Sequence, residues 1–169
     1  LVELTRTLLE IPSVTGGEHS LADWVFDYFS SLGMDEVNRL PVEDAGDTIV
    51  ACLEGSQGGY GMLLRFHLDT FDVCDGWDTD PFKAVRDGNR IYGLGVHDMK
   101  AGGACMIGAL EAIVQSGAKL GGRLYVVATT DEENWEPPWT RSRGRTWVST
   151  KHTISQAIWR SRPFRAGPP

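Results

Sequence analysis

The sequence predicts an α/β fold, a sandwich of helices on a largely buried sheet. Three observations lead there. Apolar residues at helical spacing alternate with short strand-like runs along residues 1–133. Two of those runs, Thr48–Leu53 and Arg123–Thr130, are almost continuously apolar or β-branched, as strands covered on both faces are. Histidine and acidic residues cluster directly after strand-like runs, where open α/β sheets bind ligands.

The elements follow in order. VELTRTLLEI sets Leu4, Leu8 and Ile11 at helical spacing, and Pro12 stops the helix. IPSVTGGEHS is a turn-rich linker. From Leu21 a stronger helix puts Leu21, Trp24, Val25, Tyr28, Phe29 and Leu32 on one face, with Gly33 as its C-terminal cap. TIVACL, Thr48–Leu53, is a strand, and Glu54–Tyr60 is a glycine-rich turn. Gly61–Phe66 is expected to be a second, more buried strand. Residues 70–96 are loop and short strand, with a hairpin turn at Asp87-Gly88 before Arg90-Ile91-Tyr92. Met99–Ser116 is a helix carrying Met106, Ile107, Leu110, Ile113 and Val114, closed by Gly117. RLYVVATT, Arg123–Thr130, is the last strand.

The chain has 169 residues and a 41% hydrophobic share, enough for a core of one ordinary domain. Its charge is uneven. Residues 1–133 hold 9 Lys+Arg against 22 Asp+Glu, a net of −13; residues 134–169 hold 7 against 1, a net of +6. The acidic body argues against nucleic acid as a partner and suits the collection of divalent cations. Cys52, Cys74 and Cys105 are odd in number and widely spaced, which fits no disulfide framework and points to a reducing cytoplasm. No apolar run is long enough to span a membrane.

Three clusters carry chemistry. His67-x-Asp69 follows a strand, and residues two apart in an extended segment share a face. They suit a metal ligand and the carboxylate that fixes its tautomer, although a lone His-x-Asp is more often a surface histidine beside a solvated aspartate. In YGLGVHDMKAGG, Asp98 stands at a helix entrance. It is either an N-cap or a carboxylate able to bridge two cations, while the adjacent His97 points elsewhere. Asp131-Glu132-Glu133 ends the last strand. Adjacent acids repel unless a cation or a proton-transfer role compensates, so one can bind metal while its neighbour moves protons; a charged loop is the plain alternative.

Together, HLDT, the Asp98 segment and TTDEE have a specific order and spacing. With IPSVTGGE, DGWDTDPF and RIYGLGVHDMKAGGACM they make residues 1–133 resemble the amino-terminal half of the M20 metallopeptidases. That group includes acetylornithine deacetylase, succinyl-diaminopimelate desuccinylase, aminoacylase and a carboxypeptidase. The resemblance implies a partial three-layer sandwich around a mixed sheet, the first half of a zinc-exopeptidase-like catalytic domain. It implies a hydrolase of amide bonds in N-acyl amino acids or short peptides, with two Zn2+ per intact site, Co2+ or Mn2+ being possible substitutes. His67 would ligate one ion, Asp98 would bridge both and Glu133 would ligate the other. Asp69 would orient His67. Glu132 would be the general base, taking a proton from the attacking water and passing it to the leaving amine. DGWDTDPF would be structural, packing Trp77 and Phe82 beneath the ions, and none of Asp72, Asp75, Asp78 and Asp80 is assigned as a ligand.

The resemblance stops at Glu133. Family members carry a further acidic ligand, a lid or dimerisation domain and a late histidine ligand. Residues 134–169 are instead rich in Arg, Trp and Pro, and are expected to be a non-homologous tail, disordered or out of frame. Impaired activity is therefore expected, the family's homodimer is not, and a non-catalytic metal-binding or interaction remnant is the rival expectation. No nucleic-acid or membrane partner is expected.

Overall fold

The computed structural model describes residues 1–56 and 59–133. The expected tail, 134–169, lies outside the described residues. Leu1–Glu133 form one compact unit.

Helix α1 spans Val2–Glu10 and α2 spans His19–Ser31. Strands β1 (Glu36–Leu40), β2 (Thr48–Leu53) and β3 (Met62–His67) follow, then a small hairpin of β4 (Val85–Asp87) and β5 (Arg90–Tyr92). A wide turn over Val96–Lys100 leads into α3, Ala101–Ser116, and the chain returns as β6, Leu124–Thr129. The four-stranded sheet has the order β1-β2-β6-β3. β1 and β2 are antiparallel, as are β2 and β6, while β3 runs parallel to β6. The sheet is therefore mixed, and β6, the strand richest in Val, is fully buried at its centre.

The three helices share one apolar core with Ile49, Ala51, Phe66, Leu124, Val126 and Ala128. These strand residues are register partners, so they mark one face of the sheet. Leu21, Val25 and Phe29 of α2 are completely buried there, as the helical spacing predicts. On the other face Val50, Cys52, Tyr125 and Val127 are buried as well. Burial on both faces of β2 and β6 is why they read as apolar runs rather than alternating ones.

Parallel neighbours need a crossover, and α3 supplies it between β3 and β6. The helix runs back along the sheet, so its first turn lies at the end where β3 and β6 both finish. Gly103 makes that packing close: a Cβ there would stand 2.6 Å from the Phe66 ring. Gly95, at φ +75°, starts the turn that precedes the helix; a Cβ there would stand 2.3 Å from the Thr70 methyl.

Several expectations need correction. β3 is not the more buried strand: it lies at the edge of the four-stranded sheet among the described residues, and Met62 and Leu63 are exposed. β1 was not foreseen, because EVNRL has no apolar period; it forms by pairing with β2. The hairpin turn sits at Gly88-Asn89, since Asp87 pairs with Arg90. Asp98 is not an N-cap: Met99 still has non-helical backbone, Lys100 is the cap position, and α3 begins at Ala101. Trp77 and Phe82 are only half-buried and stand outside the main core.

Replacing Gly103 with Ala tests the α3–β3 contact. Over-packing costs about 1–3 kcal/mol, and the better helix propensity of Ala returns up to about 1 kcal/mol. Urea unfolding is expected to show a net loss of about 1–2 kcal/mol. A variant as stable as the parent would mean that α3 does not rest on Phe66.

Candidate metal centre

The parallel pairing of β3 and β6 brings their carboxyl ends side by side. His67, the last residue of β3, is the register partner of Thr129. The ladder runs one step further, with the Leu68 N–H donating to Thr129 O at 2.8 Å. Past those ends the two chains carry Asp69 on one side and Asp131, Glu132 and Glu133 on the other.

Asp69 is fully buried and joins three segments. Its Oδ2 accepts from the Glu133 N–H at 2.7 Å and from the Thr15 hydroxyl at 3.2 Å. Its backbone oxygen lies 3.0 Å from His67 Nδ1. Its Oδ1 lies 3.6 Å from the same nitrogen and has no hydrogen bond among the described residues. The carbonyl, more than the carboxylate, therefore sets the imidazole: Nδ1 donates to it, and Nε2 is turned toward the acids.

Those acids converge. Asp98 Oδ1 lies 3.0 Å from His67 Nε2, Glu133 Oε1 3.9 Å and Glu132 Oε2 4.0 Å. His67, Glu132 and Glu133 can each offer one ligand atom, all within 4.8 Å of one another. One imidazole nitrogen and two carboxylate oxygens, with the far ring nitrogen already engaged, is a donor set that fits a divalent cation. Asp98 touches the histidine from the more exposed side and is not within that three-residue group. Of the residues singled out from sequence, His67, Asp69, Asp98, Glu132 and Glu133 meet here. His97 is exposed and lines a neighbouring shallow pocket with Thr70, Phe71 and Leu94.

The electrostatics follow from burial and crowding. Burial opposes charging of His67, but hydrogen bonds to Asp69 and Asp98 and the charge of Asp69 outweigh it and push the imidazole up to about 9. Glu133 is raised by its own burial first; the negative charges of Asp98, Glu132 and Asp69 add to this, and His67 works against it.

Sequence reasoning missed the frame of the site. Glu18, the last letter of IPSVTGGE, is fully buried and accepts the Asp131 N–H at 2.9 Å. It thereby holds the left-handed residue Asp131, φ 57°, that aims Glu132 and Glu133. Burial raises the Glu18 carboxyl, and Asp69 adds to that. Ser13 donates to Leu68 O at 2.7 Å, and the Thr15 N–H donates to Thr70 O at 3.0 Å, so the linker is stitched along the segment after β3. A charged residue inside a turn-rich linker was the available signal for Glu18. Lys100, also buried, donates to Ile11 O at 3.1 Å, and burial lowers it to about 8.

Comparison with known proteins bears on this arrangement. Residues 63–154 match the model of peptidase family M20/M25/M40. An acetylornithine deacetylase of Salmonella arizonae is 34% identical over 140 residues, which are 78% of this chain and 36% of the deacetylase. The chain thus spans little more than a third of that relative's length. Human carnosine dipeptidase 1 superposes with TM-score 0.70 at 18% identity, over 94% of this chain and 35% of its own. An M20 family metallo-carboxypeptidase from Sulfolobus solfataricus superposes with TM-score 0.67 at 20% identity, over 77% and 30%. At such identities these structures speak for the fold. No helix among the described residues is long and apolar enough to cross a membrane.

His67 and Glu133 both hold protons more tightly in the folded, metal-free chain than when unfolded. The stabilisation from His67 is complete below its unfolded value of 6.5 and is lost as pH rises through about 9. Metal-free stability is thus expected to fall between pH 6.5 and 9, and His67→Gln to flatten that decline. Cation binding near pH 7 must expel the imidazolium proton, so calorimetry in buffers of different ionisation enthalpy is expected to show release of about one proton or more. Binding without proton release would mean that Nε2 is not a ligand, or that the imidazole is already neutral in the metal-free chain, which the pH dependence of stability separates.

Proposed function

This chain belongs to peptidase family M20/M25/M40, a metal-dependent hydrolase family, and from that premise we propose that its acidic centre belongs to a two-zinc amide hydrolase. The substrate class is N-acyl amino acids or short peptides. The single observation that carries this reading is the convergence of His67, Glu132 and Glu133 donor atoms within 4.8 Å, with Asp98 against the same imidazole.

In this reading His67, Asp98 and Glu133 would hold the ions. Asp69 orients His67 and, through the Glu133 N–H, also sets where that glutamate begins. Zinc, when bound, polarises the scissile carbonyl and makes water a better nucleophile at neutral pH. Co2+ or Mn2+ would serve similarly. Glu132, one-third exposed on the rim, removes a proton from the attacking water and delivers it to the departing amine. The kinship with a deacetylase makes N-acetyl amino acids the first substrates to try, with dipeptides second.

A non-catalytic metal-binding or interaction role is the rival reading, because the same convergence of donor atoms would hold an ion without turning over a substrate. Metal content and turnover separate the two. Uptake of two zinc ions with hydrolysis of N-acetyl amino acids supports the enzyme. One weakly held ion and no turnover supports the rival.

Glu132→Gln is expected to lower any turnover by about 10²–10⁴-fold, the usual worth of a positioned base, while metal content stays unchanged. Turnover that survives this change would remove Glu132 from the mechanism. His67→Ala is expected to lower metal content directly, read by elemental analysis of the dialysed protein.

A further inference from the structure

Glu132 and Glu133 are neighbours with the same functional group, and both reach His67. Something must assign one to the metal and the other to the proton. Among the described residues, a basic side chain other than His67 stands beside one of them and not the other. Arg65 Nη2 lies 3.8 Å from Glu132 Oε1, while the other oxygen of the same carboxylate, Oε2, is turned toward His67 Nε2. No arginine or lysine pairs with Glu133 among the described residues; its side chain is nearly buried. Because alternate residues of a strand share a face, Arg65 and His67 project from β3 on the same side, away from the helix layer. The guanidinium is itself tethered, donating to the Thr129 hydroxyl at 3.4 Å. Thr129 stands opposite His67 in the ladder, so the tether and the site share one rigid strand pair.

We propose that Arg65 is a positioning residue: it engages one oxygen of Glu132, withholds that carboxylate from the metal, and keeps it for proton transfer. The proposal rests on the metal-hydrolase reading above. An arginine suits the task because its charge is permanent and its planar fork has a fixed direction. Freed of Arg65, Glu132 lies close enough to His67 and Glu133 to become another ligand, and it would fill the position that water or substrate needs.

Arg65→Met removes the charge and keeps the apolar stem. The probe is Co2+ added to the metal-free chain, read by visible absorption and by equilibrium titration. The expected result is tighter Co2+ binding, by up to about fivefold, the scale of a partly exposed ion pair. The absorption bands are expected to weaken as an added carboxylate raises the coordination number. Any turnover falls. Arg65→Lys restores the parent spectrum at least in part, and in a Glu132→Gln background Arg65→Met changes neither affinity nor spectrum. A spectrum and affinity unmoved by Arg65→Met overturn the proposal while the metal site stands. The same changes persisting without Glu132 overturn it too, because Arg65 would then act by another route. If the parent chain takes up no Co2+, the metal reading falls and carries this proposal with it. Coincident thermal unfolding of parent and variant separates each of these results from misfolding.

Discussion

The carboxylate of Asp69 is the constraint around which the centre is built. It is wholly buried, so its charge must be met by donors, and the donors come from distant parts of the chain: the Thr15 hydroxyl in the linker after α1 and the Glu133 N–H after β6. Its own carbonyl takes His67 Nδ1. Removing either donor would leave a buried anion short of a partner, a deficit of the kind that costs several kcal/mol. One side chain therefore couples the linker, the end of β3 and the end of β6.

Around this anchor the structure tolerates an arrangement that would not form for stability alone. Asp69, Asp98, Glu132 and Glu133 stand about one imidazole, with the charge of Asp69 acting on Glu18, and the Glu18 and Glu133 carboxyls are raised first by burial and then by neighbouring negative charge. Cores do not collect acids in this way unless a cation compensates. The backbone absorbs part of the cost: Glu18 is satisfied on one oxygen by the Asp131 N–H, and its other oxygen has no hydrogen bond among the described residues. Stability and function pull apart here, and the apolar face beneath, with Phe66, Val126 and Ala128 buried, supplies the margin.

Much of this was legible in the sequence, for physical reasons that differ by element. α2 could be read because its apolar stripe repeats with the helical period and is buried as read. β6 could be read because a central strand needs β-branched residues on both faces. The residues of the candidate site were legible only as a constellation, since each cluster alone has an ordinary structural use and it is their order and spacing together that stand out. What failed were inferences about context. The apolar letters of β3 report a need for cover, not where cover comes from. EVNRL becomes a strand because a neighbour offers a ladder, which no local pattern encodes. The tautomer of His67 is set by a main-chain oxygen, and main-chain atoms carry no sequence signature. Glu18 and Arg65 depend on contacts across 113 and 67 residues of chain respectively, by subtraction of 18 from 131 and of 65 from 132.

The parallel ladder between β3 and β6 is also a ruler. His67 faces Thr129 because Met62 faces Leu124, five steps back along the same ladder. Side chains alternate with a period of two, so a slip of one residue would turn the imidazole into the helix layer and Phe66 out of it. Correct hydrophobic burial and assembly of the acidic centre are thus the same event. The pairing joins segments some sixty residues apart, which places it among the slower contacts to form. A partly folded chain that has its helices but not this ladder would hold all the ligands and no site, and metal capture would report on completed folding.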